Sequence, residues 1–136
     1  MLKRYGHIIN EHRPKGYLLK RRKLGDLNGY AAFQREIVVD CSLDDRTALF
    51  IFLHECGHVH HQHLRQRHHE EVPDWQCEYE ADQYAIKAMR AHKIPVPRAV
   101  LEGHKSELRA LIDKAHEEVP KPVLRYAFGR HWRIAK

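Results

Sequence analysis

Apolar positions along this 136-residue chain mark out one short strand region followed by a series of helices. Ile37-Val38-Val39 is an unbroken β-branched run, the pattern of a buried strand, and Asn28-Gly29 upstream supplies turn chemistry. Leu49, Phe50, Phe52 and Leu53 then form the buried surface of a helix. Ser42 stands as its N-cap, with Asp45 three residues on as a shorter-armed capping-box partner. The helix is therefore predicted from about residue 43 into the region 60–64. A second helix is predicted from Asp74, as N-cap, to about Ala91. Its Ala81, Ala85 and Ala88 form a slim stripe that lets a neighbour approach closely, and Pro95 and Pro97 end it. Residues 97–116 read as one or two amphipathic helices packing Val100, Leu101, Leu108, Leu111 and Ile112.

Length and apolar content limit this pattern to one core and so to a single domain over residues 1–136. No apolar run is long enough for a membrane span, and Met1-Leu2-Lys3-Arg4-Tyr5 lacks a secretory apolar stretch, so a cytoplasmic location is expected. The net charge of +6 is unevenly spread. Residues 1–23 carry eight Lys/Arg against Glu11 alone, residues 121–136 carry five and no acid, and the middle is acidic. Basic ends raise nucleic acid as a partner, but solvated termini explain them more simply. A further expectation is that residues 124–136, with Tyr126, Phe128 and Trp132, fold back over an acidic cleft and complete or block it. The three cysteines, Cys41, Cys56 and Cys77, make no C-x-x-C pair and no disulfide framework.

Candidate chemistry sits inside the first helix, at His54-Glu55-Cys56-Gly57-His58. Residues four apart lie one above the other on a helix, so both imidazoles can converge on one ion, and zinc suits them. Thirteen histidines give this motif roughly a one-in-ten chance of arising from composition alone, so its context has to carry the argument. That context is Glu78-Tyr79-Glu80-Ala81-Asp82 on the second helix. There Glu78 can supply a third ligand while Asp82, four residues on, hydrogen-bonds the back nitrogen of a ligating histidine. The rival third ligands are His68 or His69 from the following loop. Glu55 points about 100° round the helix from the ligand face, where a carboxylate can act as general base without binding the metal. Tyr126, His131 and His104 are the candidates for stabilising an oxyanion. Cys56 is expected to be buried and inert.

Taken together, residues 36–40, 49–58 and 78–85 resemble the gluzincin metallopeptidases, most closely the short ImmA/IrrE-like proteases and the minigluzincins. The likeness spans about residues 29–91, and the two helical motifs together are more specific than either alone. It implies one zinc ion on His54, His58 and Glu78, Glu55 as base and Asp82 as the outer partner. It also implies an α+β fold: a small mixed sheet beside the active-site helix, followed by a mainly helical C-terminal half. In that fold residues 27–33, with Gly29, Tyr30, Ala31 and Ala32, form the exposed edge strand that accepts substrate as an added strand, and Glu36–Asp40 forms the next strand. Cys56 departs from the family, whose members often carry a large aliphatic residue there.

The expected function is zinc-dependent endopeptidase cleavage of a protein or peptide. By the resemblance, the substrate is a regulatory protein such as a transcriptional repressor. The competing expectations are a non-enzymatic zinc-containing or DNA-associated binding module, and a zinc hydrolase acting on a non-peptide bond.

Overall fold

The computed structural model describes residues 3–25, 28–32, 35–61 and 72–129. Its architecture is α+β, as expected: a three-stranded mixed sheet beside a buried helix, with a mainly helical C-terminal half. A 3-10 turn at Lys3–Tyr5 leads into α1 (Gly6–His12). Strands β1 (Leu18–Arg22), β2 (Gly29–Ala32) and β3 (Glu36–Asp40) follow. The helices that come after are α2 (Asp45–His60), α3 (Asp74–Ala91), α4 (Arg98–Asp113) and α5 (Lys121–Phe128).

β3 lies in the middle of the sheet, parallel to β1 and antiparallel to β2. Ile37, Val38 and Val39 are accordingly buried, which is why the run is continuous rather than alternating. Gly29 stands opposite Val39 and Ala32 opposite Glu36. β2 pairs on one side only among the described residues. It is pressed tightly onto α2: a Cβ at Gly29 would fall 2.5 Å from Ile51 Cγ2 and 2.8 Å from the Val38 carbonyl oxygen. The expected strand limits 27 and 33 lie outside the described residues.

α2 is buried from Ala48 to Gly57 because the sheet, α1 and α3 all pack against it. Its cap differs from the expected Ser42. The Asp44 side chain accepts from Thr47 N–H at 2.9 Å, while Ser42 donates its N–H and hydroxyl to Asp40 Oδ1. Asp40 therefore uses Ser42 to turn the chain out of β3, and the helix starts two residues later. α3 likewise begins at the expected place with a different cap. Pro73 is the N-cap, and Asp74 is the first helical residue, an acid where the helix dipole favours one. The helix stops at Ala91, ahead of the expected prolines, where Lys93 turns the chain at φ 58° and Ile94 N–H bonds back to the Met89 carbonyl.

Within the expected span 97–116 there is one helix, α4, with Pro97 as its N-cap and Lys114 as its C-cap. Its Leu108 joins Trp75, Val123 and Ala127 in a second, smaller core beneath α5. Trp75 Nε1–H donates to Glu117, and Arg109 donates to the Ala127 carbonyl at 2.7 Å, tying α5 down. No helix among the described residues is long and apolar enough to cross a membrane.

Candidate metal centre

Helices α2 and α3 present the sequence-predicted residues to one another. One helical turn separates His54 and His58 on α2, and their Nε2 atoms lie 3.1 Å apart. Glu78 on α3 reaches both, with Oε1 3.5 Å from His54 Nε2 and Oε2 2.9 Å from His58 Nε2. Tetrahedral bonds of 2.0–2.1 Å would hold such atoms about 3.3 Å apart, so the triangle fits a zinc-sized dication with little adjustment. The donor set, two imidazoles and a carboxylate, suits that ion as well.

Gly57 makes the geometry attainable. A Cβ there would lie 2.9 Å from Ala81 Cα and 3.0 Å from Tyr84 Cβ, so only glycine on α2 opposite alanine on α3 brings the two backbones this close. The predicted alanine stripe is thus half of a contact whose other half is a glycine between the two ligands.

Behind the triangle, Asp82 gathers three donors. His54 Nδ1–H and His104 Nδ1–H both donate to Oδ1 at 2.8 Å, and the Tyr126 hydroxyl donates to Oδ2 at 2.8 Å. A proton fixed on His54 Nδ1 leaves its Nε2 lone pair directed at the ion site. Burial pushes the Asp82 carboxyl upward, but hydrogen bonds from His104 and His54 outweigh it and hold the pKa down at about 2. Burial opposes ionisation of Glu78 too, yet His54 and His58 keep it well below the usual carboxylate range. His54 shows the complement: burial lowers its pKa, and Asp82, Glu78 and Glu55 together raise it well above the ordinary imidazole value. Three carboxylates around two imidazoles form a site that favours positive charge.

Glu55 Oε2 lies 4.0 Å from His54 Nε2, beside the triangle and outside it, as the expected base should. His54, Glu55, His58 and Glu78 floor a cleft of about 580 Å³. One wall is β2, through Gly29, Tyr30 and Ala31; the other is α4, through Glu107, Ala110 and Leu111. Ala32 completes the strand. The exposed side of the centre faces this cleft, since Glu78 is 35% exposed and His54 only 4%.

Two oxyanion candidates stand elsewhere. Tyr126 and His104 are spent on Asp82, behind the ion site, with the His104 ring edge-on to His54 at 4.5 Å between centroids. The third candidate, His131, lies outside the described residues, as do the rival ligands His68 and His69. The tail was expected to fold over the cleft, but its described part does not line it: α5 packs on α4, and Tyr126 meets Asp82 on the far side of the ion site. Trp132 lies outside the described residues. The α4 wall was missed in the sequence, although Glu107 and Leu111 fall three and seven residues after His104, on one helical face.

The thiols are sorted by burial. Cys56 is pushed up by burial and by Glu55, and Cys77 is pushed up to about 12 by burial, then Glu80 and Asp74; Cys41 is exposed. Alkylation of native protein at pH 8 is therefore expected to label Cys41 and spare the other two, as read by peptide mass mapping. Rapid labelling of Cys77 would contradict this burial.

Set against protein-family models, curated proteins and solved structures, the chain matches none of them.

Proposed function

We propose that this chain is a zinc-dependent endopeptidase of the gluzincin kind, similar to the ImmA/IrrE-like proteases, that cleaves a protein or peptide laid along β2. The observation that carries the reading is the His54–His58–Glu78 triangle with Glu55 beside it, opening onto a cleft walled by a strand that pairs on one side only among the described residues.

His54 and His58 would bind through Nε2 and Glu78 through its carboxylate. Held there, zinc supplies Lewis acidity that activates a water and polarises a peptide carbonyl. Glu55 accepts the proton of the attacking water at a carboxylate oxygen and returns it to the leaving amine. Asp82 keeps the proton on His54 Nδ1, and Tyr126 and His104 keep Asp82 in place. A peptide adding to β2 through main-chain hydrogen bonds would lie across the floor of the cleft, leaving sequence preference to a few side-chain pockets. That mode of binding favours peptides over other hydrolysable bonds. By the resemblance the substrate is a regulatory protein such as a transcriptional repressor, and the setting is cytoplasmic.

The DNA-associated alternative draws on the basic ends of the chain, and part of the N-terminal one is engaged in the fold. Lys20 and Arg22 pair with Glu36 at 2.6 and 3.7 Å, and Arg21 donates to the carbonyls of Asp40 and Leu43. These three charges are thereby partly neutralised or turned inward.

Metal analysis tests the proposal. His58→Ala and Glu78→Ala should each lose one equivalent of zinc relative to the wild type and lose peptide cleavage with it. Wild-type zinc content in both variants would overturn the ligand assignment. Salt-dependent DNA binding without hydrolysis of any peptide in a library would favour the binding module instead.

A further inference from the structure

A second convergence of metal-ligating side chains lies at the other end of α3. Glu11 and His12 come from α1, and His92 is the residue that caps α3. His92 Nε2 is 2.7 Å and His12 Nε2 3.6 Å from the same atom, Glu11 Oε2, and the three ligand atoms all lie within 4.8 Å of one another. We propose that Glu11, His12 and His92 form a second site for a borderline transition-metal dication such as zinc, which fastens the N-terminal helix to the end of α3.

The orientation of His12 supports this over a simple ion pair. Its Nδ1 lies 2.8 Å from the Tyr84 hydroxyl; in the tautomer with Nδ1–H donating to that oxygen, the Nε2 lone pair faces Glu11 and His92. Tyr84 itself is held by stacking on His60, whose Nε2–H donates to the His12 carbonyl at 3.0 Å. An exposed carboxylate paired with one histidine contributes little to stability and needs no second, pre-oriented imidazole. Imidazole donors also select against calcium and magnesium, which take oxygen ligands. The fourth position is open to water or to His7, which lies four residues before Glu11 on the same face of α1 and whose ring is 5.6 Å from that of His92.

The site shares no ligand with the centre in the cleft, so the two can be separated. In the double variant His58→Ala/Glu78→Ala, added zinc should remain bound at one equivalent after desalting and raise the melting temperature. Adding His92→Ala should abolish both effects. Tyr84→Phe, which removes only the acceptor for His12, should weaken zinc binding by about 10–100-fold with the circular dichroism spectrum unchanged. Should the double variant fail to fold, wild-type protein provides a second readout: two equivalents of zinc, falling to one in Glu11→Gln, an exposed position where folding is expected to survive. No zinc retained by a folded double variant, one equivalent in the wild type that Glu11→Gln leaves in place, or zinc binding indifferent to both His92→Ala and Glu11→Gln would overturn the assignment, the last by handing the ion to other histidines.

Discussion

Glu55→Gln is expected to abolish peptide cleavage while leaving the metal in place. The substitution keeps size and shape but replaces a proton acceptor with an amide that has no basic site at neutral pH. None of the three proposed ligands is touched, because Glu55 lies beside the triangle with Oε2 4.0 Å from the His54 nitrogen. Positioned general bases contribute about 10²–10⁴-fold, and in the proposed chemistry this carboxylate would handle the proton twice, so the loss should fall at or beyond the upper end of that range. Turnover of a peptide library, read by mass spectrometry beside metal content, separates the outcomes. Intact zinc with near-normal turnover would remove Glu55 from the chemistry; lost zinc would make it a ligand.

Gly57→Val should have the largest effect on the fold. Even the first added carbon would meet Ala81 Cα at 2.9 Å and its carbonyl oxygen at 3.1 Å, and neither can swing aside as a side-chain tip would. Valine adds two methyls beyond that carbon. The helices must separate, and overpacking of this kind costs about 1–3 kcal/mol, occasionally more. Melting should then fall by roughly 3–4 °C for each kcal/mol in a domain of this size. Separation also carries Glu78 away from His58, so the variant should bind zinc less tightly even at temperatures where it remains folded. A melting temperature and zinc affinity equal to those of the wild type would mean that α2 and α3 are not packed this closely.

The parts of the centre encoded by local spacing were legible from residues alone. Histidines four apart on α2, and Glu78 and Asp82 four apart on α3, have few ways to lie, and the β-branched run at Ile37–Val39 announced the central strand. Long-range partners were not legible. His104 and Tyr126 meet Asp82 from 22 and 44 residues away, so their sequence neighbourhoods mark them only as polar residues on amphipathic helices. The sequence offers both only as candidates for stabilising an oxyanion, and the path of α4 and α5 puts them on Asp82, behind the ion site. The α2 cap failed for a related reason. Ser42 and Asp44 are both good caps, and the choice between them depends on Asp40, whose carboxylate occupies the serine. The second cluster has no local signature, because Glu11 and His92 are 81 residues apart and share no motif.

Asp82 links residues 54, 104 and 126 on three separate helices through two oxygen atoms. A nascent chain still holding residue 126 inside the ribosome already has both histidines and both acids outside, yet it has no finished clamp behind them. On the proposed chemistry, such a chain stays largely inactive during its own synthesis, and hydrolytic competence arrives together with the last described helix.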